Sequence, residues 1–418
     1  MARESRIPSA EAFKVQGWCP TAWQPMRSQD GWIVRVRPHG ASVAVGQWRV
    51  LAELALAHAE PLIELTRLGN VQLRGVDEAN LERVRSVLID ARLVPADADA
   101  DLAPPVHCTP LYRRGDATHA LASLLSRAVI ERLSPAALAR KGLEALPSKF
   151  GFVVDDAAHR LRCMNADIEL WVAAHGQVAL FAADCAEPVL WESAERAVDA
   201  AIEKALWFAR ERMLHAPALV RMRSLVHAKS AGTKLNEVGA PVPPGPLDQG
   251  AWMVGVPLGR IDAAAMLATT AAMPEHAEIR VTPWRSLWVS EAALAGGNPF
   301  SDAVHWITRD DDVRLRASSC IGAPRCEQAR FAAQELSLEI AAHVPHGIHV
   351  HVTGCAKRCA LSADATFVVG AEGVDDAGQT LLRVVRRGPR EHAGPLVPYR
   401  ELRARPQQIQ KLIHDPHL

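Results

Sequence analysis

The chain has 418 residues, enough for two or three domains, and 49% of them are apolar, an ordinary share for a protein with a buried core. Its 47 basic and 47 acidic residues cancel, so no overall charge draws it to nucleic acid or to a membrane surface, and any basic site has to be local. No stretch reaches the ~18 uncharged apolar residues of a membrane span, and the opening "MARESRIPSAEAFK" has no apolar signal core, so a cytoplasmic protein is expected, with neither nucleic acid nor membrane as a partner.

From the start of the chain, "GWIVRVRPHG" reads as a strand, "QWRVLAELALAHA" as an amphipathic helix, and "LIELT" and "VQLRG" as two further strands. The order returns later as "AWMVGVPLGR", "IDAAAMLATTAAM", "AEIRVT" and "LWVS", with a Gly after the first strand each time. Two copies of one β-α-β-β unit predict a pseudo-twofold pair.

Between the copies, a helix is expected around Thr118 to Arg132, a strand at "KFGFVVD", a hairpin from "IELWVAAHG" to "QVALFAAD", and a long helix over "ESAERAVDAAIEKALWFARERMLH". The Pro- and Gly-rich "GAPVPPGPLDQG", 239 to 250, forbids a continuing helix or central strand and is the expected principal boundary. After the second copy come a helix from about Glu327 to Ala342, the strand "GIHVHV", and a final pair "TFVVG" and "TLLRVVRR". The fold class is therefore α+β, with segments 17–90 and 250–309 as the repeats and 105–238 and 310–400 as larger α+β segments.

Cys19, Cys108, Cys163 and Cys185 are scattered and read as small buried hydrophobes, but Cys320, Cys326, Cys355 and Cys359 are clustered as Cys-x5-Cys, 28 residues, Cys-x3-Cys. In a reducing compartment clustered thiols are more often ligands than disulfides. Four thiolates suit a [4Fe–4S] cluster; zinc is the competitor, although its knuckles favour pairs two to four residues apart, and four buried structural thiols remain the bland alternative.

The pattern "CIGAPRC … HVTGCAKRC" resembles the nitrite and sulfite reductases, in which such cysteines hold a [4Fe–4S] cluster and the last one bridges to sirohaem iron. The resemblance covers most of the chain: both half repeats, which it implies are ferredoxin-like, the Pro-rich junction and both α+β segments. Within that superfamily the opening "CPTAWQPMRSQDGWIVRVRP" and the wording of the cysteine loops are similar to the precorrin-3B synthase branch. The last cysteine, Cys359, is by that likeness the thiolate nearest a tetrapyrrole.

A tetrapyrrole with about eight carboxylate arms calls for convergent Arg and Lys, Arg giving bidentate contacts. In "IVRVRP", Arg35 and Arg37 alternate with valines and so share one strand face. "LTRLGNVQLRG" resembles the family's ligand-binding stretch, with Asn70, Gln72 and Arg74 matching; Leu68 stands where the family usually has Arg, and Arg67 is one place early. On a strand that displacement would turn Arg67 to the opposite face, whereas in a loop it could still reach a ligand. "LPSKFGF" resembles the element that supplies a lysine near the tetrapyrrole, here Lys149, and Lys357 and Arg358 flank the last thiolates; the family often has Gly at Arg358. His349 and His351 share a strand face and could ligate iron, but such a pair is more often structural.

The resemblance implies an oxidoreductase, a monooxygenase that takes precorrin-3A and dioxygen, hydroxylates the ring at C20 and closes a γ-lactone in aerobic cobalamin biosynthesis. Arg35, Arg37 and Lys149 would serve the reacting ring, Arg67, Asn70, Gln72, Arg74 and Lys357 would hold the substrate, and a mononuclear iron is a further candidate cofactor. Because no G-x-G-x-x-G opens a helix after a strand, electrons are expected from an external donor, an NAD(P)H-dependent reductase or a ferredoxin. A monomer is expected. The rivals are a sirohaem-dependent sulfite or nitrite reductase, and a non-catalytic protein whose metal only staples the last segment.

Overall fold

The computed structural model describes residues 17–185, 187–215, 218–225, 238–361 and 364–414; the polar opening of the chain and the end of the first α+β segment, at 226–237, lie outside these, as does the side chain of Cys163. Two compact units form, one of residues 17–26 and 32–306, the other of 27–31 and the chain from Ile307 onward. The Pro-rich stretch at 239–250 runs within the first of them.

In the larger unit each β-α-β-β repeat builds a sheet. Strands Gly31–Val36, Leu62–Leu65 and Val71–Val76 form the first, and Trp252–Gly255, Glu278–Val281 and Ser286–Val289 the second. Each sheet is finished by a strand from the other repeat: Arg260–Asp262 pairs with Leu62–Leu65, and Ser42–Ala44 pairs with Glu278–Val281. These three-residue strands were absent from the sequence expectation, which ran the first strand of the second copy unbroken to Arg260.

The exchanged strands also start the helices. Asp262 ends one of them and caps helix Ala263–Thr270, its Oδ1 accepting from Ala265 N–H at 2.8 Å, a cap that contributes about 1 kcal/mol. Helix Val45–His58 follows the other and buries Val45, Trp48, Leu51, Ala52 and Ala55, a 3.6-residue stripe. Trp48 Nε1 donates to Ile279 O at 3.2 Å, tying the first repeat's helix to the second repeat's sheet.

Strands Met26–Ser28 and Gly245–Pro246 edge the first and second of these sheets, and a further five-stranded sheet runs in the order Val189–Trp191, Val178–Ala182, Ile168–Val172, Phe152–Asp155, Val106–Cys108, in which the last three run parallel. Helices Ala117–Leu133 and Ala194–His215 bury Leu121, Leu125, Ile202 and Phe208 in a core with Phe150 and Phe152. The smaller unit repeats this plan. Ala317–Ser319, Val350–Thr353 and Phe367–Val374 run parallel, and Thr380–Arg386 and His392–Pro398 complete a sheet of the same strand order. Its crossover helix spans only Ala333–Ala341, shorter than expected, because residues 327–332 form the turns that carry the loop after Cys326.

Arg280 shows how the second half-repeat sheet is sealed. Its guanidinium lies 3.7 Å from the ring centre of Tyr112 and 4.0 Å from that of Trp288, forms two 2.9 Å bonds with Glu278, and donates to the carbonyls of Pro110 and Tyr112. Burial opposes the charge on Glu278, but the bonds from Arg280 and Ser42 outweigh it and hold that carboxyl down to about 2. Removing one partner of a buried pair leaves the other charge uncompensated. Arg280→Ala should therefore cost about 3–5 kcal/mol in urea unfolding, whereas Arg196→Ala, on an exposed helix surface, should leave the midpoint in place.

Candidate functional site

The first half-repeat sheet presents a polar face. Val34, Val36, Val71 and Leu73 point into the core, so the residues that alternate with them, Arg35, Arg37, Gln72 and Arg74, share the other side. Arg35 stands opposite Gln72 and donates to its Oε1 from Nε at 3.1 Å and Nη2 at 2.6 Å; Gln72 Nε2 donates in turn to Glu64 Oε2 at 3.3 Å. Arg37 donates to Ala103 O at 3.0 Å and lies 3.6 Å from Asp101, a carboxylate fixed by the N–H groups of Ala22 and Trp23.

Burial lowers the pKa of Arg35; Cys19 opposes the shift, and the charges of Arg37 and Arg74 add to it. Burial likewise lowers Arg37, against the pull of Asp101. Guanidiniums that repel one another on a desolvated face favour an anion among them, so this face suits carboxylates.

Cys19 departs from the buried hydrophobe the sequence suggested. It is half-buried, its sulfur accepts from Arg35, and its own N–H donates to Ser148 Oγ at 2.8 Å. Ser148 sits in the turn closed by Phe150 N–H to Pro147 O, so the turn that carries Lys149 is anchored to the loop that touches Arg35. Cys108 is buried as expected, while Cys185 is half-buried beside Asp184.

Residues 66–70 form a turn rather than a strand, with Gly69 N–H bonded to Thr66 O and Thr66 N–H to Asn70 O. Arg67 lies on that turn, and the facing of a continuous strand does not apply to it. Leu68 packs on one side against the buried cluster of Val153, Leu161 and Met164. Leu68 and the buried Asn70 line a cavity of about 500 Å³ together with Arg37, Arg92 and His107.

His107 was not singled out by the sequence. Burial and the charges of Arg37, Arg35 and Arg221 push its pKa down to about 3, against a hydrogen bond to the backbone of Leu68. It is thus a neutral imidazole that ties strand Val106–Cys108 to the 66–70 turn within reach of three guanidiniums. Arg221, also missed, is held by Asp167 at 2.8 Å.

The cysteines belong to the smaller unit. Cys320 follows strand Ala317–Ser319 and Cys355 follows strand Val350–Thr353, at the carboxyl ends of adjacent parallel strands, where open α/β sheets place ligands. Cys320 is buried, Cys326 and Cys355 are half-buried and Cys359 is exposed, a gradation from sheet to surface. Desolvation of its sulfur raises the Cys359 thiol although the residue as a whole is exposed, Lys357 lowers it, and Cys320, Cys355 and Cys326 each raise it further.

The two loops interlock. Gly354 N–H donates to Cys320 Sγ at 3.2 Å, and a Cβ on Gly354 would stand 2.5 Å from Ala329 Cβ. Gly322 has φ +70° and a Cβ there would stand 2.6 Å from Ala333 N. Four soft sulfur donors with a backbone N–H aimed at one of them fit an iron–sulfur cube, whose sulfurs take such bonds. Arg358 adopts φ +49°, a region that favours glycine, and its side chain turns to Glu391 at 2.6 Å instead of to the thiols.

Two other clusters do not suit iron. His351 is fully buried, with Nδ1 3.0 Å from Ser318 Oγ and Nε2 3.1 Å from Cys359 O; His349 uses Nε2 on Ser318 Oγ and Nδ1 on Asp364. Their ring nitrogens are spent on holding the strands and the Cys359 loop. Asp155, His159 and Glu169 bring ligand atoms within 4.8 Å of one another. There, however, Arg162 grips both oxygens of Glu169 at 3.1 and 3.2 Å and lies 3.0 Å from His159 Nδ1, a guanidinium standing where a metal would.

This fold is that of the nitrite and sulfite reductases. The family described as nitrite/sulfite reductase ferredoxin-like half domain matches residues 24–91. The NirA protein of Mycobacterium tuberculosis superposes with a TM-score of 0.61 at 18% identity, over 92% of this chain and 81% of that one. In sequence the chain is similar to a precorrin-3B synthase from a Sinorhizobium species, 26% identical over 82% of this chain and 78% of that protein. No described helix is long and apolar enough to cross a membrane.

Acid should report on His107. The unfolded chain protonates it near 6.5 and the folded chain only at about 3, so the unfolded state binds more protons between these values and stability contributed by His107 falls as pH falls through that window. Asp155, raised to about 7 chiefly by burial, works in the opposite sense. In urea titrations the destabilisation caused by His107→Asn should therefore shrink from pH 7 to pH 4.5; a difference independent of pH would contradict the assignment.

Proposed function

We propose that the chain is a precorrin-3B synthase, converting precorrin-3A to its C20-hydroxylated γ-lactone with dioxygen. The observation that carries this reading is the guanidinium face of the first half repeat, Arg35, Arg37 and Arg74 on one side of a sheet, in a chain similar over most of its length to a precorrin-3B synthase. A polycarboxylate ring is the ligand such a face suits.

In this reading Arg35, Arg37, Asn70, Gln72, Arg74 and the Arg67 turn hold the carboxylate arms, with Lys149 as a further cation. One oxygen atom enters at C20, the other leaves as water, and two electrons come from an external reductase or ferredoxin. A [4Fe–4S] cluster on Cys320, Cys326, Cys355 and Cys359 would supply the electron relay. The guanidiniums orient the ring and balance its charge; they do not activate oxygen. His107, neutral throughout the physiological range, donates its hydrogen bond to the turn and keeps a fourth positive charge out of the pocket. A mononuclear iron is not assigned to either histidine cluster.

The test is single-turnover assay of the anaerobically purified chain with precorrin-3A, a reductant and a measured pulse of dioxygen. Hydroxylactone should form, and under steady-state turnover Arg35→Ala should raise KM at least about 10-fold with a smaller change in kcat, as expected for lost binding that is uniform along the reaction. Stoichiometric sirohaem with turnover of sulfite or nitrite would instead make the chain a sirohaem-dependent reductase.

A further inference from the structure

The first half repeat does not complete its own polar face. Strand Arg260–Asp262 lies beside Leu62–Leu65 with Arg260 opposite Glu64, Glu64 is opposite Gln72, and Gln72 is opposite Arg35. Ile261, Ile63 and Leu73, the alternating neighbours of these residues, are buried in one core. Arg35, Gln72, Glu64 and Arg260 are therefore a single cross-strand row on one face.

Glu64 lies between cations rather than clasping one. Its Oε2 is 3.8 Å from Arg74 Nε and its Oε1 3.9 Å from Arg260 Nε, both longer than a hydrogen bond, while Gln72 donates to Oε2 at 3.3 Å. The Arg260 side chain is 20% exposed, with its Nε buried.

We propose that Arg260 is a binding residue of this face, delivered across the repeat boundary by the exchanged strand, and that the ligand is a polycarboxylate wide enough to engage both ends of the row. Three strand spacings separate Arg35 from Arg260, about 14 Å. That span suits a macrocycle with carboxylates on opposite edges and exceeds a small di- or tricarboxylic acid. The inference rests on the tetrapyrrole reading and extends it: a residue of the second half repeat, outside every motif that suggested the ligand, grips the far edge of the ring.

Uroporphyrin, a macrocycle with eight carboxylates, is a suitable probe, titrated by fluorescence quenching against the full chain. Wild type should bind it and citrate should not displace it. Arg260→Met, which keeps the aliphatic stem, and Arg260→Ala should each weaken binding about 10-fold, comparably to Arg35→Ala, with an unchanged near-ultraviolet circular dichroism spectrum for the Met variant. If Arg35→Ala weakens binding while Arg260→Met does not, Arg260 only staples the exchanged strand and the inference is overturned. If wild type does not bind uroporphyrin, or citrate competes at equal concentration, the macrocycle reading falls and takes the inference with it.

Discussion

The constraint on which the larger unit depends is the holding of several guanidiniums side by side on a face that water barely reaches. Like charges this close are tolerated only with partners at fixed distances, and the sheet supplies them: Gln72 for Arg35, Asp101 for Arg37, Glu64 between Arg74 and Arg260. None of these partners lies next to its arginine in sequence. The antiparallel register sets the spacing, and the register is set by the apolar residues on the reverse side.

The pseudo-twofold plan was then put to two uses. In the second half-repeat sheet the place of Glu64 is taken by Arg280, which is sandwiched between Tyr112 and Trp288 and closed off by Glu278. That side is structural, whereas Arg37 and Arg260 on the first sheet each keep 20% of their side-chain exposure. The same divergence separates the two five-stranded sheets. After its first parallel strand one chain segment runs on to Tyr112 and the seal over Arg280, whereas the other turns at once into Cys320. A duplicated scaffold thus carries a row of arginines in one place and four cysteines in another.

Much of this was legible in the chain. The alternation in "IVRVRP" and "VQLRG" fixes which side chains share a face, because a strand's period is two, and the four cysteines stand out from the scattered ones by spacing alone. The exchanged strands were not legible: three residues are too few for a period, and their partners lie some two hundred positions away, so Arg260 read as the tail of a preceding strand. His107, between Val106 and Cys108, looks like one more core position, and only the folded chain surrounds it with arginines. The histidines entering the cysteine motif share a face as their alternation implies, yet their partners Ser318 and Asp364 come from neighbouring segments that spacing could not reveal.

The central claim is that one chain combines a carboxylate-binding face with a cradle for an iron–sulfur cube. Its most direct test is iron, sulfide and zinc analysis with an absorption spectrum, on protein made without oxygen in a host able to synthesise sirohaem, for wild type and Cys355→Ser. The account predicts about four irons and four sulfides per wild-type chain, a broad shoulder without a Soret band, and loss of both elements in the variant. One zinc per chain, or iron retained in full without Cys355, would contradict it.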